Sequence, residues 1–206
     1  MEVSLWNDLR PRAVSAQQLR FQERDALRVE LLPDVAAGIP DVDYVDMPTF
    51  VELPIEFRDG VVEVDVYAEL NGLWPEGARG FAGLAYRIQA DAAAFECVYL
   101  RPSNGRRAPR PRQDRAIQYF TYPDFRFDRL RNQCPGCYEA GADIDIDEWI
   151  RLRLEVHGRQ VRALVNDVVC LDLTQTLIAD QPGTLGLFVD IGTVAYFADL
   201  RVSDLH

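Results

Sequence analysis

Trp149-Ile150-Arg151-Leu152-Arg153-Leu154-Glu155-Val156-His157-Gly158-Arg159 is the stretch that decides the fold class. Ile150, Leu152, Leu154 and Val156 alternate with Arg151, Arg153 and Glu155, a period of two that suits a strand with one dry and one wet face. His157-Gly158-Arg159 turns the chain into Val161, Ala163 and Val165, and Asn166-Asp167 turns it again into Val168 to Leu173. Both turns carry residues that tolerate positive φ, so the three segments predict a meander.

The same pattern runs outward from there. Val62, Val64 and Val66 alternate with Glu63, Asp65 and Tyr67, and Ala82, Leu84, Tyr86 and Ile88 alternate with Phe81, Gly83, Ala85 and Arg87. Phe95 to Arg101, Ile117 to Tyr122, Gly183 to Val189 and Ala195 to Val202 read as further strands. The first 49 residues are less regular, with two short strands between Leu19 and Leu32 around Glu23-Arg24-Asp25, then a loop from Pro33 to Pro48. Leu173 to Ala179 is the one helical candidate. Many strands at short spacing and almost no 3.6-residue period predict an all-β, antiparallel two-sheet jelly-roll sandwich spanning all 206 residues as one domain.

The net charge is −11, from 33 acidic and 22 basic residues, and every basic residue is arginine. That balance works against a general binder of nucleic acid or of anionic membranes, both polyanions. It leaves neutral ligands such as glycans open. Met1-Glu2-Val3-Ser4-Leu5-Trp6-Asn7-Asp8 has no basic stretch followed by an apolar one, and no run nears the roughly 18 apolar residues of a membrane span. The expectation is a cytoplasmic protein with reduced thiols.

Phe57-Arg58-Asp59-Gly60-Val61-Val62-Glu63-Val64-Asp65-Val66 runs into Gly80-Phe81-Ala82-Gly83-Leu84-Ala85-Tyr86-Arg87, then Phe95-Glu96-Cys97-Val98-Tyr99-Leu100-Arg101-Pro102 and Gln118-Tyr119. Glu148-Trp149-Ile150-Arg151-Leu152 precedes the meander, and Ala195-Tyr196-Phe197-Ala198-Asp199-Leu200-Arg201-Val202 closes it. In this order the segments resemble the concanavalin A-like lectin/glucanase superfamily, near the domain families labelled 3-keto-disaccharide hydrolase and laminin-G-like. The resemblance covers residues 50–203, with Phe57–Val66 as its opening strand. It implies a jelly roll with a concave, glycan-type groove and carries over no catalytic mechanism.

Several constellations carry chemistry. Glu63-Val64-Asp65-Val66-Tyr67-Ala68-Glu69 is similar to the Glu-x-Asp-x-x-Glu strand of bacterial endo-β-glucanases in that superfamily, with the last Glu one residue too far along. Glu63, Asp65 and Glu69, with Glu96, are therefore the candidate acids and nucleophiles of a glycosidase, and a solvated strand face is the bland alternative. Arg87, Tyr99, Arg101 and Gln118 fall on one predicted face, an aromatic ring beside planar donors that suits a sugar; Glu96 on the opposite face needs a partner such as an arginine. Arg101 to Arg115 holds six arginines, readable as a lip for uronic or sulfated sugars or as a solvated loop.

Cys134-Pro135-Gly136-Cys137 lacks the strand-to-helix setting of a redox motif and the second cysteine pair of a zinc site, so a tight loop, reduced or oxidised, is expected. Cys97 and Cys170 read as small buried hydrophobes, while His157 falls in a turn and His206 ends the chain. Asp143, Asp145 and Asp147 resemble a calcium loop, but Glu148 stands where an EF-hand needs glycine, and a wet strand leading into Trp149 explains them. No cofactor is required, with calcium the one to test. Three functions follow: a lectin-like module binding a carbohydrate through Arg87, Glu96, Tyr99, Arg101 and Gln118; a glycoside hydrolase; and a protein-interaction domain that keeps the shape without the ligand.

Overall fold

Alternation becomes strands wherever one face can be dried. In the computed structural model, which describes residues 7–204, the chain runs β1 (Arg10–Arg12), β2 (Val14–Phe21), β3 (Arg24–Leu31), α1 (Pro33–Ala36), β4 (Phe50–Phe57), β5 (Gly60–Leu70), β6 (Ala82–Ile88), β7 (Phe95–Leu100) and β8 (Ile117–Tyr122). It continues with α2 (Phe127–Gln133), β9 (Glu139–Ala140), β10 (Trp149–His157), β11 (Gln160–Val165), β12 (Val168–Leu173), β13 (Gly183–Val189) and β14 (Thr193–Ser203). Two seven-stranded antiparallel sheets result, in the orders β1-β4-β13-β6-β7-β8-β9 and β12-β11-β10-β5-β14-β3-β2. Val62, Val64 and Val66 from one sheet and Leu84, Val98 and Leu187 from the other are fully buried members of one core. Each such side chain contributes about 1.5–3 kcal/mol over an exposed position.

The hairpin turns behave as their residues require. His157 pairs with Gln160 and Val165 with Val168, leaving two-residue turns in which Gly158, Asn166 and Asp167 take positive φ. The N-terminal hairpin differs from expectation: Phe21 pairs with Arg24, so the turn is Gln22-Glu23, both at positive φ, rather than Glu23-Arg24-Asp25. The first fifty residues are also more regular than predicted. β1 extends the first sheet and β2 and β3 close the edge of the second.

Three further expectations are corrected. Phe57–Val66 is two strands: β4 ends at Phe57 in the first sheet, Arg58-Asp59 makes the corner, and β5 starts at Gly60 in the second. Gly60 has φ 138°, and a Cβ there would stand 2.6 Å from the Ser203 carbonyl oxygen, so only glycine fits the corner. Leu173–Ala179 holds no helix, because β12 continues to Leu173 and the following residues are pinned by Thr176 N–H to the Arg159 carbonyl and Leu177 N–H to the Tyr119 hydroxyl. The helix of two turns is instead α2, which buries only Leu130 and so shows no apolar period. Asp143 to Asp147 is a loop rather than a strand.

Candidate functional site

Strand register decides what faces where. Leu84, Val98, Tyr119 and Leu187 lie in one cross-strand row of the first sheet, and Phe188, Gly83, Tyr99, Gln118 and Glu139 lie in the next. Successive residues point to opposite faces, and Tyr119 reaches across to Leu177 beyond β12 of the second sheet. Tyr99 and its row therefore look outward from the sandwich. A pocket of about 230 Å³ stands over Tyr99. Its walls come from four connections: Val45 and Asp46 before β4, Trp74 and Arg79 between β5 and β6, Arg112 and Arg115 between β7 and β8, and Asp190 and Ile191 between β13 and β14. Phe127 and Arg131 of α2 complete it.

The acidic end is built by Asp190. Its carboxylate accepts the backbone N–H groups of Val45 (3.0 Å), Asp46 (2.9 Å) and Ile191 (2.7 Å). Those bonds hold Val45 at φ 74° and Asp46 at φ 56°, a left-handed conformation that costs about 1–3 kcal/mol per residue and is held only where the surroundings enforce it. Asp46, 1% exposed, accepts the Phe127 N–H at 2.7 Å and so ties α2 to the same loop. Burial, then the Asp190 charge, push the Asp46 carboxyl up to about 7, against the pull of the Phe127 N–H, the Arg101 charge and the Tyr99 hydroxyl. Asp190 is raised as well, by burial, with its three N–H donors opposing.

The basic end divides in two. Arg101, 4% exposed, donates to the Tyr99 hydroxyl at 2.7 Å and to Glu139 at 3.3 Å, and its guanidinium lies 5.1 Å from the Tyr99 ring and 5.4 Å from Phe127. Glu139 also takes Arg131 (2.8 Å) and Arg115 (3.5 Å), so one buried carboxylate neutralises three arginines in part. Burial acts to raise the Glu139 pKa, but Arg131, Arg101 and Arg115 prevail and hold it below the usual range. Among the described residues, the hydrogen-bond partners of Arg79 and Arg112 are carbonyl oxygens. Arg79 donates to Ala78 and Glu76 carbonyls, both 2.6 Å, and Arg112 to the Asn104 side-chain oxygen (2.9 Å) and the Ser103 carbonyl (2.8 Å).

Of the residues singled out from sequence, Tyr99 and Arg101 line this pocket. Gln118 is beside Tyr99 in the row, buried, donating to the Tyr119 and Tyr138 carbonyls with its side-chain oxygen unpartnered. Arg87 does not share the Tyr99 face. A bulge opposite β13 leaves it at φ 52° and swings it to the inner side, where it donates to Glu96 (2.9 Å), Asp59 (3.2 Å) and the Arg58 and Gly158 carbonyls. Glu96, fully buried, also accepts the Tyr119 hydroxyl at 2.5 Å. The arginine partner that Glu96 needs is thus Arg87, and the two form a buried pair away from the pocket.

Glu63, Asp65 and Glu69 project from β5 on the outer side of the second sheet. Asp65 holds Arg24 (2.6 Å) and Arg151 (3.0 Å), Glu63 lies near Arg201 (3.4 Å), and Glu69 accepts the Tyr196 hydroxyl (3.3 Å). Asp143 pairs with Arg106 (2.8 Å) and Asp145 with Arg107 (2.9 Å), while the Asp147 N–H bonds to the Ala68 carbonyl. Among the described residues no group of three or more His, Cys, Asp or Glu side chains is placed to hold a metal ion. Cys134 and Cys137 form a disulfide just past α2, Cys97 is a buried thiol and Cys170 a half-buried one. His206 and Met1–Trp6 lie outside the described residues, and among the rest no helix is long and apolar enough to cross a membrane. The arginine-rich segment is ordered, through Arg106 with Asp143 and Glu148 and Arg112 with Asn104. Sequence reading missed Asp46, Asp190, Arg79, Phe127 and Arg131; the signals that pointed at this end of the sheet were the Tyr99–Arg101 face and the arginine run.

No protein-family model matches the chain, and no curated protein matches its sequence. Solved structures do share its fold. The carbohydrate-binding module CBM66 of Bacillus subtilis superposes with a TM-score of 0.61 at 14% identity, covering 94% of this chain and 97% of that one. A Bacillus subtilis protein of unknown function with a galectin-like fold gives 0.56 at 13%, covering 96% and 89%. A Bacillus licheniformis β-glucanase gives 0.50 at 10%, covering 94% and 83%. The chain is an all-β, two-sheet jelly-roll sandwich that shares its fold with these proteins.

Proposed function

We propose that this chain binds a saccharide in the pocket over Tyr99. The observation that carries the reading is the pairing, in one small cavity, of ring faces from Trp74, Phe81 and Phe127 with planar donors from Arg79, Arg101 and Arg112 and acceptors from Asp46. A sugar ring stacks its CH face on an aromatic side chain while its hydroxyls take fixed donors and acceptors. At about 230 Å³ the cavity is smaller than the roughly 300–1,000 Å³ of drug-sized pockets, which suits one terminal ring rather than a length of chain. Tyr99 and Arg101 carry this role in our assignment, Gln118 supports Tyr99 from the neighbouring strand, and Arg87 and Glu96 serve the sandwich interior. A sugar-binding or hydrolase-like purpose is also in keeping with the carbohydrate-binding module and the glucanase of the same fold.

A glycan array followed by calorimetry on any hit tests this, with Trp74→Ala as the probe because Trp74 is 43% exposed at the rim. The expected result is a hit whose affinity falls about tenfold in the variant, the value of one lost stacking face. A blank array with folded protein refutes the reading. A second reading, hydrolysis, rests on Asp46, whose carboxyl near 7 has the protonation behaviour of a general acid. Release of free sugar from a bound glycan, abolished in Asp46→Asn, would establish it.

A further inference from the structure

The pocket is a strongly basic concavity on an acidic chain. Five arginines line it against two aspartates, in a protein of net charge −11. Arg101, Arg115 and Arg131 share Glu139, but Arg79 and Arg112 form no ion pair among the described residues. Each uses two N–H groups on neutral oxygens, so three of the five donors of each guanidinium stay unused. The two are near enough to repel: after burial, the Arg112 and Arg101 charges are what lower the Arg79 pKa. Both are anchored rather than free to swing into water, by bonds to the segments that carry Trp74 and Asn104.

We propose that the ligand of this pocket carries an anionic group, a carboxylate or a sulfate, seated between Arg79 and Arg112. A neutral sugar would leave two half-buried like charges unpaired in one pocket, whereas a bidentate oxyanion pairs with the planar forks of both. The inference rests on the saccharide reading and sharpens it, to a uronic acid or a sulfated sugar whose ring lies against the aromatic wall. The negative chain then repels polyanions from the rest of the surface and leaves attraction local to this mouth.

Calorimetry with matched pairs tests it: glucuronate- and glucose-terminated oligosaccharides, sulfated and unsulfated galactosides, and inorganic sulfate alone. The acidic member of a pair should bind and the neutral one should not. Affinity should fall with salt as the screening length shrinks from about 10 Å at 0.1 M to about 3 Å at 1 M. Arg79→Gln and Arg112→Gln should each weaken the acidic ligand by about ten- to a hundredfold, the value of a charged hydrogen-bond partner. Arg110→Gln, at an exposed arginine that pairs with Asp114 outside the pocket, should leave binding unchanged. Equal binding of both members of a pair would overturn the anionic group and leave the saccharide reading standing. Sulfate binding that needs Arg79, with every glycan blank, would keep the anion site and remove the sugar. Silence of all three probes with the protein folded would overturn both.

Discussion

Asp46 makes the acidic end of the pocket a source of pH-dependent instability, and the size of the effect follows from its burial. Its carboxyl, 1% exposed, is pushed from an ordinary 3.8 up to about 7, first by burial and then by Asp190. Below 3.8 the group is protonated whether the chain is folded or not, and the favourable contribution is complete. Between 3.8 and 7 the unfolded chain ionises Asp46 while the folded one keeps its proton, so stability falls by about 1.4 kcal/mol per pH unit. Above about 7 both forms are ionised and the fall is complete, on the order of 4 kcal/mol in total. From pH 5 to pH 8 the share belonging to Asp46 is about 3 kcal/mol. Asp46→Asn keeps an oxygen for the Phe127 N–H and removes the charge. Urea unfolding of both proteins from pH 5 to 8.5 should show the wild type losing that much more stability than the variant. Asp190 and Glu96 are also raised and remain in both proteins, so the difference between the two curves reports Asp46 together with its repulsion from Asp190. Parallel curves would refute the argument and leave Asp46 an ordinary, wetter carboxylate.

Other consequences are independent of that one. Arg87 and Glu96 are 1% and 0% exposed in their side chains, so Glu96→Leu removes the buried partner of a cation that keeps only the more exposed Asp59 and Asp180, leaves the Tyr119 hydroxyl without its acceptor, and should lower stability by about 1–3 kcal/mol in urea unfolding. Adding Arg87→Met should recover part of that loss; a double variant as damaged as the single one would mean that lost packing, not lost pairing, sets the effect. Glu63→Gln, Asp65→Asn and Glu69→Gln remove carboxylates on the outer side of the second sheet and should leave binding at the pocket within about twofold, as residues with no shared partners do. A large loss in calorimetry would move the site to that sheet. A Cβ on Gly83 would come within 2.2 Å of the Val98 carbonyl oxygen and 2.5 Å of the Tyr99 Cα. Gly83→Ala should therefore displace β7 and lower stability by about 1–3 kcal/mol or more, with weaker ligand binding; unchanged melting and affinity would contradict the close packing of β6 on β7.

How much of this is legible in the sequence depends on how each strand is buried. β10 is dry on one face only, so Ile150 to Val156 announces itself by alternation. β7 is buried at all six positions, because α2 and the loops cover its outer side, and there alternation says nothing about which face meets the second sheet. The bulge at Arg87 then reverses one side chain without any sequence mark, which is why Arg87 was grouped with Tyr99. α2 is hidden for the opposite reason: one buried leucine in seven residues makes no stripe. The site suffers most. Tyr99 near the end of β7 and Arg101 just past it sit two apart and could be placed by counting, but Asp46 and Asp190 stand 144 residues apart between partner atoms, and only the sheet order brings their loops together.

That sheet order also explains why the pocket forms where it does. Asp190 sits at the corner where the chain leaves β13 in the first sheet for β14 in the second. A corner exposes backbone N–H groups that no strand satisfies, and the Asp190 carboxylate gathers three of them, two from the distant loop before β4. The loop so captured presents Asp46, which in turn accepts the first N–H of α2 and sets Phe127 and Arg131 over the sheet. Glu139, in the same row as Tyr99, then collects the arginines that α2 and β7 deliver. Asp190, Asp46 and Glu139 thereby each hold part of the pocket wall. Arg79 and Arg112, which form no ion pair among the described residues, are left as the charges available to a ligand.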